Sequence, residues 1–479
     1  MRSAGIRGAR RSMWCGGSAG LATAVSCALL LSACGGHDDG AGPGDASHKP
    51  VSMAGKGPAQ QPVPRGKGGK GGKGGKGNNV QDDFNGDGAR DLVLDDLVHP
   101  DHGDDAGIGI VYGSTRGKRG LTPGARQLVS AHANGARTKG QLPAAFDSEA
   151  SCDLDEDGFS DLLVSTDPPY DGQGQPPVPL QILFGSPKGL VGKAVKLNVP
   201  AQARFGNDWP DQPVCGDFDG DGANDLVLHA SGARLTFLRG PFKRNGAPRA
   251  AGEPVTAPGN NLATGRATDV DGDGYDDVLV RKAADAKGAA TSALVMGGPQ
   301  GPDETGVLFP GGQDQDIVFG RFGEGKGMDA AITSPKGIAL RYDVPGTLRG
   351  SLEAKNVAVD TGDLDGDGLS ELVVSGAGSG SGGGAWDVRV FRGRTSELAP
   401  NASALVRPPG KSKSKGKGKT EVLQVADFDG DKRADLVTRT YRGDSQDIVA
   451  VYPGREGDLV ARDPRVTFST AEFLAPSGE

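Results

Sequence analysis

Residues 217–228 read Asp217-Phe218-Asp219-Gly220-Asp221-Gly222-Ala223-Asn224-Asp225-Leu226-Val227-Leu228. Four carboxylates fall within nine residues, and an apolar run follows at once. Carboxylates crowded in this way repel one another unless a cation sits among them. Hard oxygen donors at positions 1, 3, 5 and 9, a carbonyl at position 7 and a Gly at position 6 for a sharp turn suit Ca²⁺.

The pattern recurs without gaps from Asp83, Asp153, Asp217, Asp269, Asp363 and Asp427, and in degenerate form from Arg321. Position 2 is always apolar: Phe84, Leu154, Phe218, Val270, Phe322, Leu364 and Phe428. Position 9 is always acidic: Asp91, Asp161, Asp225, Asp277, Asp329, Glu371 and Asp435. An EF-hand would need a bidentate Glu at position 12 and flanking helices. Position 12 is instead Leu94, Val164, Leu228, Val280, Ile332, Val374 or Thr438, so each loop joins two strands.

Those strands belong to a repeat. Starts from 83 to 427 give a unit of about 57 residues, the size of a large propeller repeat. Each unit carries a second strand that ends in an aromatic or apolar residue and often Gly, as in Ile182-Leu183-Phe184-Gly185 and Val390-Phe391-Arg392-Gly393. A third alternating run follows in places, as at Val195–Val199. The 81 Gly in 479 residues exceed the usual share of roughly 7%, which favours an all-β chain rich in turns. A single four-stranded sheet cannot bury both faces, whereas sheets packed radially around an axis can. Seven units therefore predict an all-β, seven-bladed β-propeller of four-stranded blades over residues 79–479. The strand completing the first blade is either Asn79-Val80-Gln81 or one from the tail near Phe473-Leu474.

The acidic loop, followed by a segment such as Phe184-Gly185-Ser186-Pro187, resembles the FG-GAP/VCBS repeat. That family includes the N-terminal propeller of integrin α chains and many exported bacterial proteins. The resemblance implies largely structural calcium ions in loops between the first and second strands of a blade, with partners on the opposite, upper face. It implies up to six ions. Their ligands would be Asp83, Asn85, Asp87 and Asp91 in the first blade, and Asp153, Asp155, Asp157 and Asp161 in the second. The third offers Asp217, Asp219, Asp221 and Asp225, and the fourth Asp269, Asp271, Asp273 and Asp277. The sixth offers Asp363, Asp365, Asp367 and Glu371, and the seventh Asp427, Asp429, Asp431 and Asp435. The fifth loop has Arg321, Gly323 and Gly325 at ligand positions, so no ion is expected there and an Arg321–Asp329 salt bridge is the candidate substitute. The seventh has Lys432 in place of the turn Gly, which puts its turn and affinity in question.

Residues 1–34 read as an export signal, with Arg2, Arg7, Arg10 and Arg11 before an apolar run at Gly20–Leu31. Leu31-Ser32-Ala33-Cys34 resembles the lipobox of bacterial lipoproteins, which implies lipidation of Cys34 and a protein tethered outside the cell. Ordinary signal cleavage and secretion is the alternative. Residues 35–78 form a linker rich in Gly, Lys and Pro, and Lys411–Lys419 is a second basic tract. Beyond the signal and Cys34, the five Cys leave Cys152 and Cys215, one and two residues before their loops. Export and an even count favour a disulfide between them, while the one-residue offset argues against it. His99 and His102, beside Asp101, Asp104 and Asp105, fit no standard zinc spacing. Arg442-Gly443-Asp444 is a tripeptide that chance explains in a chain of this composition.

No Ser/His/Asp or Cys/His constellation stands out, so the expectation is a non-catalytic, calcium-binding adhesion or ligand-binding protein, monomeric, with no nucleic-acid partner. Tyr170, Trp209 and Trp386 are candidate contacts for an extracellular protein or glycan; packing between blades is the competing role. A carbohydrate-active propeller enzyme or lectin acting on extracellular polysaccharide is the alternative function.

Overall fold

The apolar run behind each acidic loop is a strand buried on both faces. In Leu162-Leu163-Val164 all three side chains are at most 1% exposed. Leu162 and Val164 face the core shared with the preceding blade, and Leu163 faces the core shared with the next. A strand covered on both sides shows a continuous apolar stretch where a half-exposed one would alternate.

The computed structural model describes residues 80–474, with breaks at 99–104, 116–119, 283–290, 311–314, 377–386, 410–418 and 443–445 and at a few shorter points. Seven blade sheets follow one another in chain order, antiparallel but for one parallel pairing between the third and fourth, and Gly454–Arg455 with Leu459–Val460 forms a further two-stranded hairpin. The second is Asp147–Cys152, Asp161–Ser165, Leu180–Leu183 and Val195–Lys196, paired in that order. First strands of neighbouring sheets lie against one another, which sets them nearest the axis. Seven apolar clusters fill the seven junctions, one between each successive pair of blades and one between the seventh and the first. The described helices are single turns, and none is long and apolar enough to cross a membrane.

Three blades depart from the four-strand rule. The first has three strands among the described residues, Leu92–Val98, Asp105–Val111 and Arg126–Val129. The outer strand of the third is split into Ala250–Ala251 and Val255–Thr256. The inner segment of the fourth divides its pairing: Asn261–Leu262 joins its own blade, while Gly265–Arg266 runs parallel to Asp211–Gly216 of the third.

Neither expected closing strand forms. Asn79 lies outside the described residues, and Val80 and Gln81 are not in a strand. Phe473 ends a 3-10 turn, Thr470–Phe473, that follows the outer strand of the seventh blade, Val466–Ser469. Phe473 and Leu474 are buried in the junction with the first blade, beside Leu92, Leu94 and Leu97. Arg126 of the first blade donates to the Glu472 carbonyl. The ring is closed by apolar packing.

Position 2 of the acidic loops explains its unbroken apolar character here. Each of the seven side chains is at most 1% exposed and sits in the cluster shared with the following blade. The carbonyls of Phe84, Leu154, Phe218, Val270 and Phe322 accept hydrogen bonds from that same blade. Each loop is thus anchored to its neighbour as well as to its own sheet.

Cys152 and Cys215 form a disulfide, with Cα atoms 6.5 Å apart. The objection from their one-residue offset fails for a simple reason. Adjacent blades turn opposite faces toward each other, so two inner-strand residues that meet across a junction should differ in parity.

Phe218→Ala is expected to lower the unfolding free energy by about 3–5 kcal/mol, as for other buried Phe truncations. Urea denaturation in saturating calcium measures it; an unchanged midpoint would show that the anchor contributes nothing.

Candidate metal centres

The acidic loops are built by their own side chains. The position 1 carboxylate accepts the N–H of position 6 in six loops, at 2.8–3.0 Å, from Gly88, Gly158, Gly222, Gly274, Gly368 and Lys432. The position 5 carboxylate accepts the N–H of position 7 in the same six, at 2.9–3.2 Å. Position 6 needs a left-handed backbone, with φ between +86° and +98° at the five glycines. Lys432 keeps the turn at φ +70°, so the seventh loop has the shared geometry at the cost of a strained residue.

Position 9 does more than the sequence indicated. One of its oxygens accepts the position 2 N–H in all seven loops, from Phe84 to Asp91 at 2.9 Å through Phe428 to Asp435 at 3.3 Å. The other accepts from the end of the third strand, at Gly113, Gly185, Gly240, Gly297, Asp343 and Gly393. Those glycines lie against the position 8 backbone, where a Cβ would collide with its carbonyl oxygen. The recurring Gly after the aromatic residue is thereby explained.

Five loops bring three carboxylates together with oxygens within 4.8 Å of one another. Asp153, Asp155 and Asp161 converge in the second, Asp217, Asp219 and Asp225 in the third, and Asp363, Asp365 and Glu371 in the sixth. Asp269, Asp271 and Asp273 converge in the fourth, and Asp427, Asp429 and Asp431 in the seventh. The first loop is not among these, having Asn85 at position 3. The donor set fits a hard divalent cation. Two buried oxygens, Oδ1 of Asp155 and Oδ1 of Asp217, have no hydrogen-bond partner, as expected of groups facing a cation site.

Burial pushes the position 9 carboxyls up, and neighbouring carboxylates add to it. Asp225, Asp277 and Asp435 rise to about 7 and Glu371 to about 8. Asp91 and Asp161 also lie well above the usual carboxylate range.

The fifth loop is held without the ligand set, by other means than expected. Arg321 does not pair with Asp329; its guanidinium donates to the Gly325 carbonyl at 3.2 Å. Asp329 keeps its backbone bonds to Phe322, Gly323 and Asp343. The Asp343 carboxylate accepts from Lys326 at 3.1 Å and Gly327 at 2.9 Å. Sequence reasoning missed Asp343, although it stands where other units have the glycine after the aromatic residue.

It also missed a set of arginines. Arg239 lies 3.1 Å from Asp219 and Arg392 2.9 Å from Asp365. Each immediately precedes the glycine that ends the third strand, which is a readable signal. Arg244, Arg249, Arg433 and Arg465 pair with carboxylates of the second, third and seventh loops.

Connections between first and second strands lie at one end of the ring, and those between second and third at the other. Tyr170, on the latter end in the second blade, meets Trp209, which leads into the third, edge-on at 5.6 Å. Both are half-buried, so the pair joins two blades and still presents surface. Trp386, Cys34, His99 and His102 lie outside the described residues, as do Gly443 and Asp444.

No family model matches the chain. Integrin alpha-PS5 of Drosophila melanogaster is 28% identical over 165 residues, which are 33% of this chain and 15% of that protein. Solved structures that align include a lectin from Agrocybe aegerita described as recognising non-reducing terminal N-acetylglucosamine. It has 14% identity and a TM-score of 0.46, covering 77% of this chain and 88% of that one. BBS1N in complex with ARL6DN aligns at 13% identity and a TM-score of 0.43, covering 84% and 96%. The biofilm matrix protein Bap1 of V. cholerae aligns at 12% and 0.23, covering 80% and 80%. A third of this chain is thus similar to part of an integrin α chain, and the all-β propeller accords with an FG-GAP-like repeat.

Carboxyls whose folded pKa exceeds the unfolded value near 4 favour the folded state at low pH, and that contribution is lost as pH rises through the folded pKa. The chelated protein is therefore expected to lose stability between about pH 4 and pH 8, read as a falling melting temperature. A melting temperature that rises across this range would contradict the assignment. Lys432→Gly should stabilise the protein by about 1 kcal/mol in denaturant titration, by removing the left-handed strain.

Proposed function

We propose that this chain is a non-catalytic, calcium-stabilised propeller held outside the cell, binding a protein or glycan through the end of the ring that carries Tyr170 and Trp209. The observation that carries this reading is the convergence of carboxylates at one end. Among the described residues, every group of three or more converging acids belongs to an acidic loop. Bound calcium would be held by the carboxylates at positions 1, 3, 5 and 9, and would neutralise them without supplying reaction chemistry. The loops also anchor position 2 in the next blade, so filling them stiffens the junctions. That leaves the opposite end as the surface for recognition, where an aromatic pair offers an apolar face with polar edges.

The disulfide supports an oxidising exterior, and similarity to part of an integrin α chain is in keeping with it. Tethering through a lipid on Cys34 completes the proposal.

Thermal melts of the full mature chain in calcium and in EGTA test the metal half. Each loop filled at a hundred times its Kd should add about 2.7 kcal/mol. Identical melts would sink it. Arrays of glycans and extracellular proteins, probed with the calcium-loaded chain, test the recognition half. Binding that weakens in Trp209→Ala is expected. Absence of any binding, or cleavage of a polysaccharide on the array, would overturn it.

A further inference from the structure

The arginines around the acidic loops are distributed unequally. In the third loop, Arg239 sits 3.1 Å from Asp219, and Arg249 pairs with Asp221. In the seventh, Arg465 lies 2.6 Å from Asp429 and 3.7 Å from Asp435, and Arg433 lies 2.6 Å from Asp431. The second loop has Arg244, shared between Asp155 and Asp157, and the sixth has Arg392 at 2.9 Å from Asp365. The fourth loop, with Asp269, Asp271, Asp273 and Asp277, has no ion pair among the described residues.

These arginines neutralise without filling the sites. Arg244 holds Oδ2 of Asp155 at 2.6 Å, while Oδ1 of the same carboxylate is buried with no partner. In the third loop both arginines take Oδ2 oxygens, and Oδ1 of Asp217 stays buried and unpartnered. The fifth loop is the end member. There a guanidinium is written into position 1 and bonds the loop carbonyl at Gly325 directly.

Resting on the calcium reading above, we propose that these arginines are built-in counter-ions that grade the loops by affinity. Among the five loops that bring three carboxylates together, the fourth demands calcium and fills first. The second and sixth are intermediate. The third and seventh, each with two arginines, fill last and keep their shape in its absence. A unit charge about 6 Å from a divalent ion, screened as fully as in bulk water, changes its binding by about tenfold. Two such charges separate the extreme loops by about a hundredfold. The device lets one ring keep part of its framework at low calcium while leaving other junctions responsive to it.

The test is a calcium titration of the chelator-stripped full chain, with calcium alone as the probe, read by calorimetry and by competition with a chromophoric chelator. Binding should spread over about two orders of magnitude. Asp271→Asn with Asp273→Asn should remove the tightest step. Arg239→Gln with Arg249→Gln should leave that step in place and tighten a weak one by about a hundredfold. The same arginine variant should melt lower than the parent in EGTA and gain more on calcium addition. If it fails to fold, Arg392→Gln should tighten one intermediate step by about tenfold. Uniform affinities, or weaker binding in the arginine variants, would overturn the grading and leave calcium binding intact. No binding at all would overturn both.

Discussion

The ring depends on a carboxylate at the ninth position of each acidic loop. One oxygen receives the N–H of position 2, and in six blades the other receives an N–H at the end of the third strand. Three segments of backbone are thereby fixed to one side chain, in a place too buried for water to do the same work. A buried N–H without a partner costs free energy comparable to a lost hydrogen bond, so the acid cannot be dispensed with. The fifth blade makes this plain. It has given up the carboxylates at positions 1, 3 and 5 and kept Asp329.

Charge then sets the second constraint. Each further carboxylate that closes the turn through its own backbone bonds adds repulsion at the same spot. Arginine and replacement by glycine are two answers to that repulsion that the chain displays, and five loops bring together carboxylates that could take the third, a bound cation. The answers reach beyond the loop because position 2 is lodged in the neighbouring blade. Local electrostatics and packing between sheets are therefore joined through one peptide unit per blade.

Much of this was legible in the chain. The spacing of Asp153, Asp155, Asp157 and Asp161, the strand at position 12 and the seven-fold recurrence led to the propeller and its loops. What stayed hidden lay in contacts between units. Position 2 was read as apolar, but its destination in the next blade depends on how sheets stack. The one-residue offset of Cys152 and Cys215 argues against a bond only if neighbouring sheets present the same face to each other, and at their junction they present opposite faces. Arg321 looked like the partner of Asp329, yet Asp343, fourteen residues on, was the group that entered the loop. A gap-free comparison of units hides such a substitution, since it occurs in a different segment of the repeat. The closure of the ring was unreadable for a related reason: Phe473 and Leu474 work through burial in a neighbouring blade, with no strand pattern to announce it.

The position 2 anchor has a direction. Every blade offers a knob on one side and a socket on the other, and the knob is always lodged in the blade that follows. Such a head-to-tail interface ends either in a ring or in an open chain. Here Phe428 meets the socket beside Leu92 and Leu94, and the series closes on itself. A molecule parted at that seam would carry one free knob and one free socket of matching shape. Closure thus spends the knob and the socket within one chain: the contact that completes the circle is the same contact that, left open, would string copies together.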